Sequence, residues 1–231
     1  VLDAGDTTRR LIHDARGDTS SVFDEAHALL GQLATRAQQR GISTEVRVLM
    51  GKGWLKLIRE VMKHDHDLIV VGTRHEGAID RFLFGSTAMK LLRKCPCPVW
   101  VTRPPDGLPM TSVLVAHDLG AVGRHALRLG IEFAQSNDLQ LFVVHAIEQL
   151  PLGDPTGFGF TVDDAAELHH DARERILAEL GDSALQRAPE IRVISGSPEP
   201  AILELIKQES IDLLIMGTIG RAGISGVLTG N

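Results

Sequence analysis

The strongest chemical signal in the chain is a set of glycines near its carboxyl end. Gly217, Gly220 and Gly230 follow the largely apolar run Ile211–Met216 with the spacing Gx2Gx9G, and Asn231 comes next. Glycine has no Cβ and accepts positive φ, so a loop of this kind lets backbone N–H groups approach a phosphate. A helix that began just after Gly230 would direct its free N–H groups at the same anion. The spacing therefore predicts a phosphate-binding loop after a buried strand.

A second copy of this pattern lies earlier in the chain. Gly72 ends another apolar run, and Gly85 with Ser86 occupies the place of Gly230 with Asn231. His75 stands where the second glycine is needed, so a Cβ and an imidazole would meet the phosphate. We therefore expect the first copy to be degenerate, with Gly72, Gly85 and Ser86 as weaker candidates for nucleotide contacts.

The two glycine patterns belong to an internal repeat. Arg47–Thr73 aligns without a gap on Arg192–Thr218, at a constant offset of 145 residues. The repeat predicts a first domain over residues 1–103, a proline-rich linker over 104–110 and a second domain over 111–231. The offset also indicates that the first copy lacks its opening strand and helix and the second its closing helix and strand. We therefore expect further sequence beyond both ends.

The elements that position these motifs alternate along the chain. The first copy is predicted to contain a helix between Ser20 and Gly41, a strand over Glu45–Met50, a helix over Trp54–Lys63, a strand over Asp67–Val71, a helix over Ser86–Arg93 and a strand over Val99–Thr102. The second copy is predicted to contain a strand over Ser112–His117, a turn over Asp118–Gly123, a helix over Arg124–Gln135 and a strand over Leu141–Ala146. Strands alternating with helices predict an α/β fold with a mostly parallel sheet in each copy, and ligands in such folds bind beyond the carboxyl ends of the strands.

Composition excludes several classes of protein. The net charge of −6 divides unevenly: residues 1–103 carry 16 basic and 12 acidic side chains, and the rest carry 8 and 18. Neither half predicts the basic face that nucleic-acid binding needs. No apolar run reaches the roughly 18 to 20 residues of a membrane span, so we expect no membrane partner and a cytoplasmic location. Cys95 and Cys97 are predicted to be small apolar residues leading into a strand.

Taken together, these residues resemble the universal stress proteins, and in particular the tandem type with two such domains in one chain. The family's nucleotide signature is Gx2Gx9G followed by Ser or Thr, and here Asn231 takes the last place. The segment Leu91–Arg103 (LLRKCPCPVWVTR) is similar to the family's closing helix and strand, and Val113–Asp118 (VLVAHD) to its opening strand. The resemblance implies two repeated doubly wound domains with five-stranded, adenine nucleotide alpha-hydrolase-like sheets, both incomplete in this chain.

The resemblance also implies a ligand. ATP-binding members hold adenine with an acidic residue after the first strand and with backbone groups after the second, here Asp118 and Ala146. Ribose and phosphates would be held by Met216, Gly217, Gly220, Gly230 and Asn231. The expected cofactor is ATP or another adenine nucleotide, with Mg²⁺ only alongside it and no separate metal site. The strand Val99–Thr102 would help to join the two domains as an intrachain pseudo-dimer.

Three functions follow from these observations. The first is a stress-response protein that binds an adenine nucleotide for signalling or protection, with no catalytic residue assigned and an unidentified protein partner. The second is a scaffold without nucleotide, suggested by His75 and Asn231. The third is a slow ATPase or an adenylyl-transferring enzyme, although the chain has no GxxxxGK[ST] lysine. His117 and His145 near the expected site are either catalytic or, as is commoner for histidines at strand ends, hydrogen-bonded.

Overall fold

The computed structural model describes residues 2–3, 19–73, 85–102, 109–148, 162–181, 183 and 185–218. These residues fall into two compact units, one ending at Thr102 and one beginning at Pro109. The first unit contains β1 (Leu2–Asp3), α1 (Thr19–Gln38), β2 (Met50–Gly51), α2 (Gly53–His64), β3 (Ile69–Gly72), α3 (Ser86–Lys94) and β4 (Val99–Thr102). The second contains β5 (Ser112–Ala116), α4 (Ala121–Asn137), β6 (Gln140–Ile147), α5 (Val162–Leu180), β7 (Glu190–Ser195), α6 (Pro198–Gln208) and β8 (Leu213–Met216). Within these described ranges, no helix combines the length and apolar character needed to cross a membrane.

The second unit is built on a four-stranded parallel sheet in the order β7–β6–β5–β8. Strand β5 lies inside the sheet, with Val115 in register with Val143 on one side and Ile215 on the other. Val113, Leu114 and Val115 are all fully buried. A strand covered on both faces shows a continuous apolar run, which is why β5 reads without alternation in the sequence.

Helices cover both faces of this sheet, as the fold class predicted. Val113 and Val115 of β5 belong to one apolar cluster, which also contains Leu127 of α4 and Ile176 of α5. Leu114 points to the opposite face, in a cluster with Leu205 of α6 and residues of β6. Successive side chains of a strand alternate between faces, so one apolar strand contributes to two cores. The result is the doubly wound arrangement, and the predicted fifth strand has no counterpart among the described residues of this unit.

The first unit contains two separate parallel pairs, β1–β2 and β3–β4. The offset of 145 residues maps β2 onto the end of β7 and β3 onto β8. In the second unit these strands are joined through β6 and β5. Among the described residues of the first unit, no strand takes the place of β5, and the two pairs are separate.

The repeat extends to details of the backbone. Gly51 and Gly196 have φ of 130° and 129°, and Asp65 and Ser210 have φ of 50° and 52°. Both pairs are related by the offset of 145 residues. An ion pair is also repeated, between Arg47 and Glu45 at 2.7 Å and between Arg192 and Glu190 at 2.8 Å.

Two predicted elements need correction. The strand expected over Glu45–Met50 is wrong for all but its last residue, because β2 begins at Met50, where its described pairing with β1 also begins. The helix expected from Arg124 begins three residues earlier, at Ala121. The turn over Asp118–Gly123 is therefore shorter than predicted. The remaining boundaries differ by about two residues or fewer, and Val99–Thr102 agrees with the prediction.

The two cysteines pack as apolar residues, as the sequence indicated. Cys95 and Cys97 border the core of the first unit, which contains Ile58, Ile69 and Leu91. Their sulfur atoms lie 3.6 Å apart as free thiols. Burial, together with the hydrogen bond to Cys95, raises the pKa of Cys97 to about 11, so this thiol is protonated at neutral pH.

Candidate functional site

The carboxyl ends of β6, β5 and β8 meet at one edge of the second sheet. The chain passes from β5 to β6 and β7 on one side, and then returns to place β8 on the other side of β5. Strand β5 therefore lies at the topological switch point, where open α/β sheets form a crevice for ligands. Asp118 follows β5, Ala146 lies near the end of β6, Met216 ends β8, and Gly217 follows it directly. The structure brings these four predicted residues to one edge.

Asp118 is held in a fixed orientation by backbone donors. Its Oδ1 atom accepts the N–H of Gly120 at 2.8 Å and the N–H of Gly123, in the first turn of α4, at 3.0 Å. The side chain is nevertheless exposed. Among the described residues, both donors reach Oδ1, which leaves Oδ2 available to a ligand. Asp118 thus combines a fixed carboxylate with an accessible acceptor atom.

The same contacts keep Asp118 ionised. The hydrogen bond from Gly120 lowers the pKa of Asp118 below the usual aspartate value, and the bond from Gly123 adds to this effect. Partial burial opposes them without reversing the direction. At neutral pH the group is a carboxylate, which accepts hydrogen bonds but donates none. It therefore suits a ligand that presents an N–H donor.

Ala146 offers backbone groups beside this carboxylate. It lies within β6, which continues to Ile147, so it is not beyond the strand as the sequence resemblance implied. The carbonyl of Val144 accepts the N–H of His117 at 2.9 Å and therefore faces β5. Backbone groups two residues apart in a strand face the same neighbour. The N–H and C=O of Ala146 thus point to the β5 side, although the ladder between β5 and β6 stops at Ala116 and Val144.

Gly217 has a packing role as well as a predicted ligand role. A Cβ built on Gly217 would lie 2.2 Å from Cγ1 of Val122 in the first turn of α4. No side chain fits at that distance, so the end of β8 approaches α4 only because residue 217 is glycine. Met216 beside it is 53% exposed, an unusual exposure for the side chain of a parallel strand.

The remaining predicted residues are not brought to this edge by the described structure. Gly220, Gly230 and Asn231 lie outside the described residues. Gly72, Gly85 and Ser86 belong to the first unit, where Gly72 ends β3 opposite Thr102 and Gly85 precedes the first residue of α3. A Cβ on Gly72 or Gly85 would meet no atom within 4 Å. Packing among the described residues therefore does not account for these two glycines.

A polar network of histidine and glutamate side chains lies next to Asp118, and the sequence predicted only its histidines. His117 is buried, its Nδ1 atom accepts the N–H of Leu119 at 2.9 Å, and its Nε2 atom lies 2.8 Å from Oε2 of Glu179. The Nδ1 atom of His145 donates to the carbonyl of His117 at 2.8 Å. Both histidines are thus hydrogen-bonded, one of the two predicted alternatives. Glu179 lies 62 residues from His117 in the sequence, and no local pattern marks it.

A second polar region lies at the edge strand β7. Nε2 of His169 and Oγ of Ser195 are 2.7 Å apart, and Nη1 of Arg173 donates to the carbonyl of Ile191 at 3.0 Å. An open cleft of about 350 Å³ adjoins these groups. Arg173 satisfies a carbonyl of an edge strand, which is a structural role. Because β7 is two strands from β5, this region is separate from the switch point.

Comparisons with known proteins agree with the fold and with the repeat. The model of the universal stress protein family matches residues 3–103 and again residues 110–231. The chain is 25% identical over 245 residues to universal stress protein E of Photorhabdus laumondii, covering 100% of this chain and 78% of that protein. It is 26% identical over 227 residues to universal stress protein E of Escherichia coli K12, covering 91% of this chain and 70% of that protein.

A solved structure shows the same fold. The crystal structure of a universal stress protein from Archaeoglobus fulgidus superimposes with a TM-score of 0.63 at 20% identity, covering 89% of this chain and 71% of that one. With two successive matches to the family model and a doubly wound parallel sheet, this chain belongs to the universal stress protein family in its tandem form, and this membership supports a role in stress response.

Proposed function

We propose that the second unit binds an adenine nucleotide, with ATP as the first ligand to test, at the edge where β6, β5 and β8 end. The observation that carries the proposal is the ionised carboxylate of Asp118, held at the switch point by the N–H groups of Gly120 and Gly123. The residue is exposed, and a carboxylate whose second oxygen accepts no hydrogen bond from the described residues suits the exocyclic amino group of adenine.

Ala146 complements this interaction. Its N–H and C=O face the end of β5, where the ladder with that strand has already stopped. Adenine presents both an amino donor and ring-nitrogen acceptors along one edge, so adjacent backbone groups can bind that edge while Asp118 binds the amino group. This pairing selects a planar heterocycle with a donor beside an acceptor, and adenine fulfils this requirement.

The phosphates are assigned to the glycine motif. Gly217 starts the loop directly after β8, and Gly220, Gly230 and Asn231 complete the Gx2Gx9G spacing in the sequence. Backbone N–H groups in such loops bind anions without a lysine. The proposed role is signalling or protection in the cytoplasm, with Mg²⁺ bound only through the nucleotide. The absence of the GxxxxGK[ST] lysine favours binding over rapid phosphoryl transfer.

Replacing Asp118 with asparagine tests the proposal. Asparagine keeps an oxygen for the N–H groups of Gly120 and Gly123, but turns an NH₂ group toward the ligand. We expect the Kd for ATP to rise about tenfold or more, since a hydrogen bond to a charged group contributes about 1.5–3 kcal/mol. GTP has a carbonyl where ATP has the amino group, so the affinity of the variant for GTP should rise relative to its affinity for ATP.

Isothermal titration calorimetry on the whole chain measures both affinities. Asp171→Asn, which makes the same substitution at an exposed position of α5, is the matched control and should bind like the wild type. The proposal is abandoned if the wild-type chain shows no heat of ATP binding at about 1 mM, a concentration that would detect an affinity of only about −4 kcal/mol. If Asp118→Asn loses the same affinity for ATP and for GTP, Asp118 does not recognise the base.

A further inference from the structure

The turn that carries Asp118 contains a strained residue. Leu119 has φ of +57°, a left-handed conformation that costs a residue other than glycine about 1 kcal/mol or more. Such a conformation persists only where its surroundings fix it. Both peptide groups of Leu119 are fixed here by side chains: its N–H donates to Nδ1 of His117 at 2.9 Å, and its C=O accepts from Nη2 of Arg175 at 3.1 Å.

His117 is itself fixed by helix α5. Because Nδ1 accepts the N–H of Leu119, the ring proton lies on Nε2 and is donated to Oε2 of Glu179 at 2.8 Å. The side chain of His117 is 0% exposed and that of Glu179 is 20% exposed. Nη1 of Arg124 lies 3.8 Å from the other carboxylate oxygen of Glu179. The imidazole therefore has one tautomer and one orientation.

Helix α5 is well placed to anchor the turn. Ile176 and Leu180 are buried in the same cluster as Val113 and Val115 of β5, at 0% and 5% exposure. Arg175 and Glu179 are one helical turn apart, so they lie on one face of the helix. Both reach the segment between β5 and α4, one directly and one through His117.

We propose that Glu179 and Arg175 are positioning residues for the nucleotide site, acting through His117 and Leu119 to aim the carboxylate of Asp118. This inference rests on the proposed function. It implies that two side chains of α5 control ligand affinity through the turn, without contacting the ligand. Loss of either contact releases Leu119 from its strained conformation and disorders the carboxylate that follows β5.

The first test separates the hydrogen bond from simple packing. In Glu179→Gln an amide oxygen can still accept the Nε2–H of His117, so we expect the Kd for ATP to stay within about threefold of the wild type. In Glu179→Ala the acceptor is lost, and the Kd should rise about tenfold, as for one hydrogen bond to a charged group. Glu174→Ala, an exposed glutamate of the same helix, is the matched control and should match the wild type.

A second readout does not need the nucleotide. In the free protein, amide hydrogen exchange at Leu119, Gly120 and Gly123 should accelerate about tenfold in Glu179→Ala and in Arg175→Ala, and not in Glu179→Gln, because only the first two variants lose a contact that holds the turn. The ¹⁵N resonances of His117 should show a protonated Nε2 and a bare Nδ1 in the wild type. Arg175 is exposed, so its variant keeps the test available if Glu179→Ala does not fold.

The two readouts distinguish the possible failures. If the wild-type chain binds no ATP while exchange accelerates as expected, the proposed function is wrong and the positioning of the turn still holds. If Glu179→Ala and Arg175→Ala leave both the exchange and the Kd unchanged, the positioning inference is wrong. An equal loss of affinity in Glu179→Gln and Glu179→Ala also overturns it, because the charge, and not the hydrogen bond to His117, would then matter.

Discussion

At the scale of single residues, Gly217 has two separate reasons to be glycine: the predicted phosphate contact and close packing in the fold. The sequence predicts Gly217 as a place where a phosphate can approach the backbone, yet in the structure a Cβ built on this glycine would lie 2.2 Å from Cγ1 of Val122. The motif alone could not reveal this contact, since Val122 lies about a hundred residues earlier. Asp118 is the opposite case, because its position after an apolar strand already predicted its place at the edge of the sheet.

Substituting Gly217 tests the packing role. We expect Gly217→Ala to lower the free energy of unfolding by about 1–3 kcal/mol, because the new methyl group overlaps Cγ1 of Val122. Val122→Ala in the same chain removes the overlapping atom, so the double variant should be more stable than the sum of the single effects predicts. Urea denaturation of the three variants measures the coupling. Strict additivity would contradict the contact.

Gly31 in α1 provides a matched control for that experiment. A Cβ built on it meets nothing within 4 Å. Gly31→Ala should therefore raise the free energy of unfolding by about 0.5–1 kcal/mol, the difference in helix propensity.

At the scale of elements, the amino ends of β5 and β8 are joined by one carboxylate. Oδ2 of Asp212 accepts the N–H of Thr111 at 2.8 Å and that of Ser112 at 3.1 Å. The hydroxyl groups of Thr111 and Ser112 also donate to it, at 3.0 and 3.1 Å. Burial alone would raise the pKa of Asp212, but these four donors outweigh it and lower the pKa. Asp212 thus fixes the register of β8 at the end of the sheet opposite the candidate site.

This contact gives a stability difference that depends on pH. A carboxyl group with a lowered pKa in the folded state stabilises the fold above its unfolded pKa of about 3.9, and this contribution is lost as the pH falls through the folded value. Asp212 is exposed, so we expect Asp212→Asn to cost only about 1–2 kcal/mol at pH 7. Thermal unfolding should show this difference shrinking below about pH 4. A difference that stays constant down to pH 2.5 would contradict the assignment, and Asp171→Asn is the control.

The sequence predicted which elements exist better than where they begin and end. The sequence identified the helices α1 to α4 and the strands β3, β5, β6 and β8. Glu45–Met50 alternates as a strand does, yet β2 begins only at Met50, because a strand depends on the backbone groups of a neighbour and not on its own pattern. The early start of α4 also depends on a contact that the sequence pattern does not show. Asp118 accepts the N–H of Gly123 and so caps a turn that the sequence predicted as part of the loop.

At the scale of the whole molecule, the two units come from one repeat but differ in how their strands are paired and buried. In the second unit β5 is paired on both sides, and Val113, Leu114 and Val115 are fully buried. In the first, β3 is paired with β4 within the described residues, and Val70 in that strand is 58% exposed. The repeat predicts two domains of one fold. It does not reveal which strands the sheet of each unit contains. We therefore expect the units to differ in stability.

Hydrogen exchange on the whole chain measures that difference. Backbone amides of β5 and β6 should exchange more than tenfold more slowly than those of β3 and β4, because a doubly paired, fully buried strand opens only with its whole unit. Leu91 in the first unit and Leu114 in the second are both 0% exposed, and truncating either to alanine should cost about 2–5 kcal/mol. Since each leucine lies in the core of its own unit, Leu91→Ala should accelerate exchange in β3 and β4 while leaving β5 and β6 protected, and Leu114→Ala should do the reverse. Acceleration of all four strands by Leu91→Ala would show instead that the two units unfold as one.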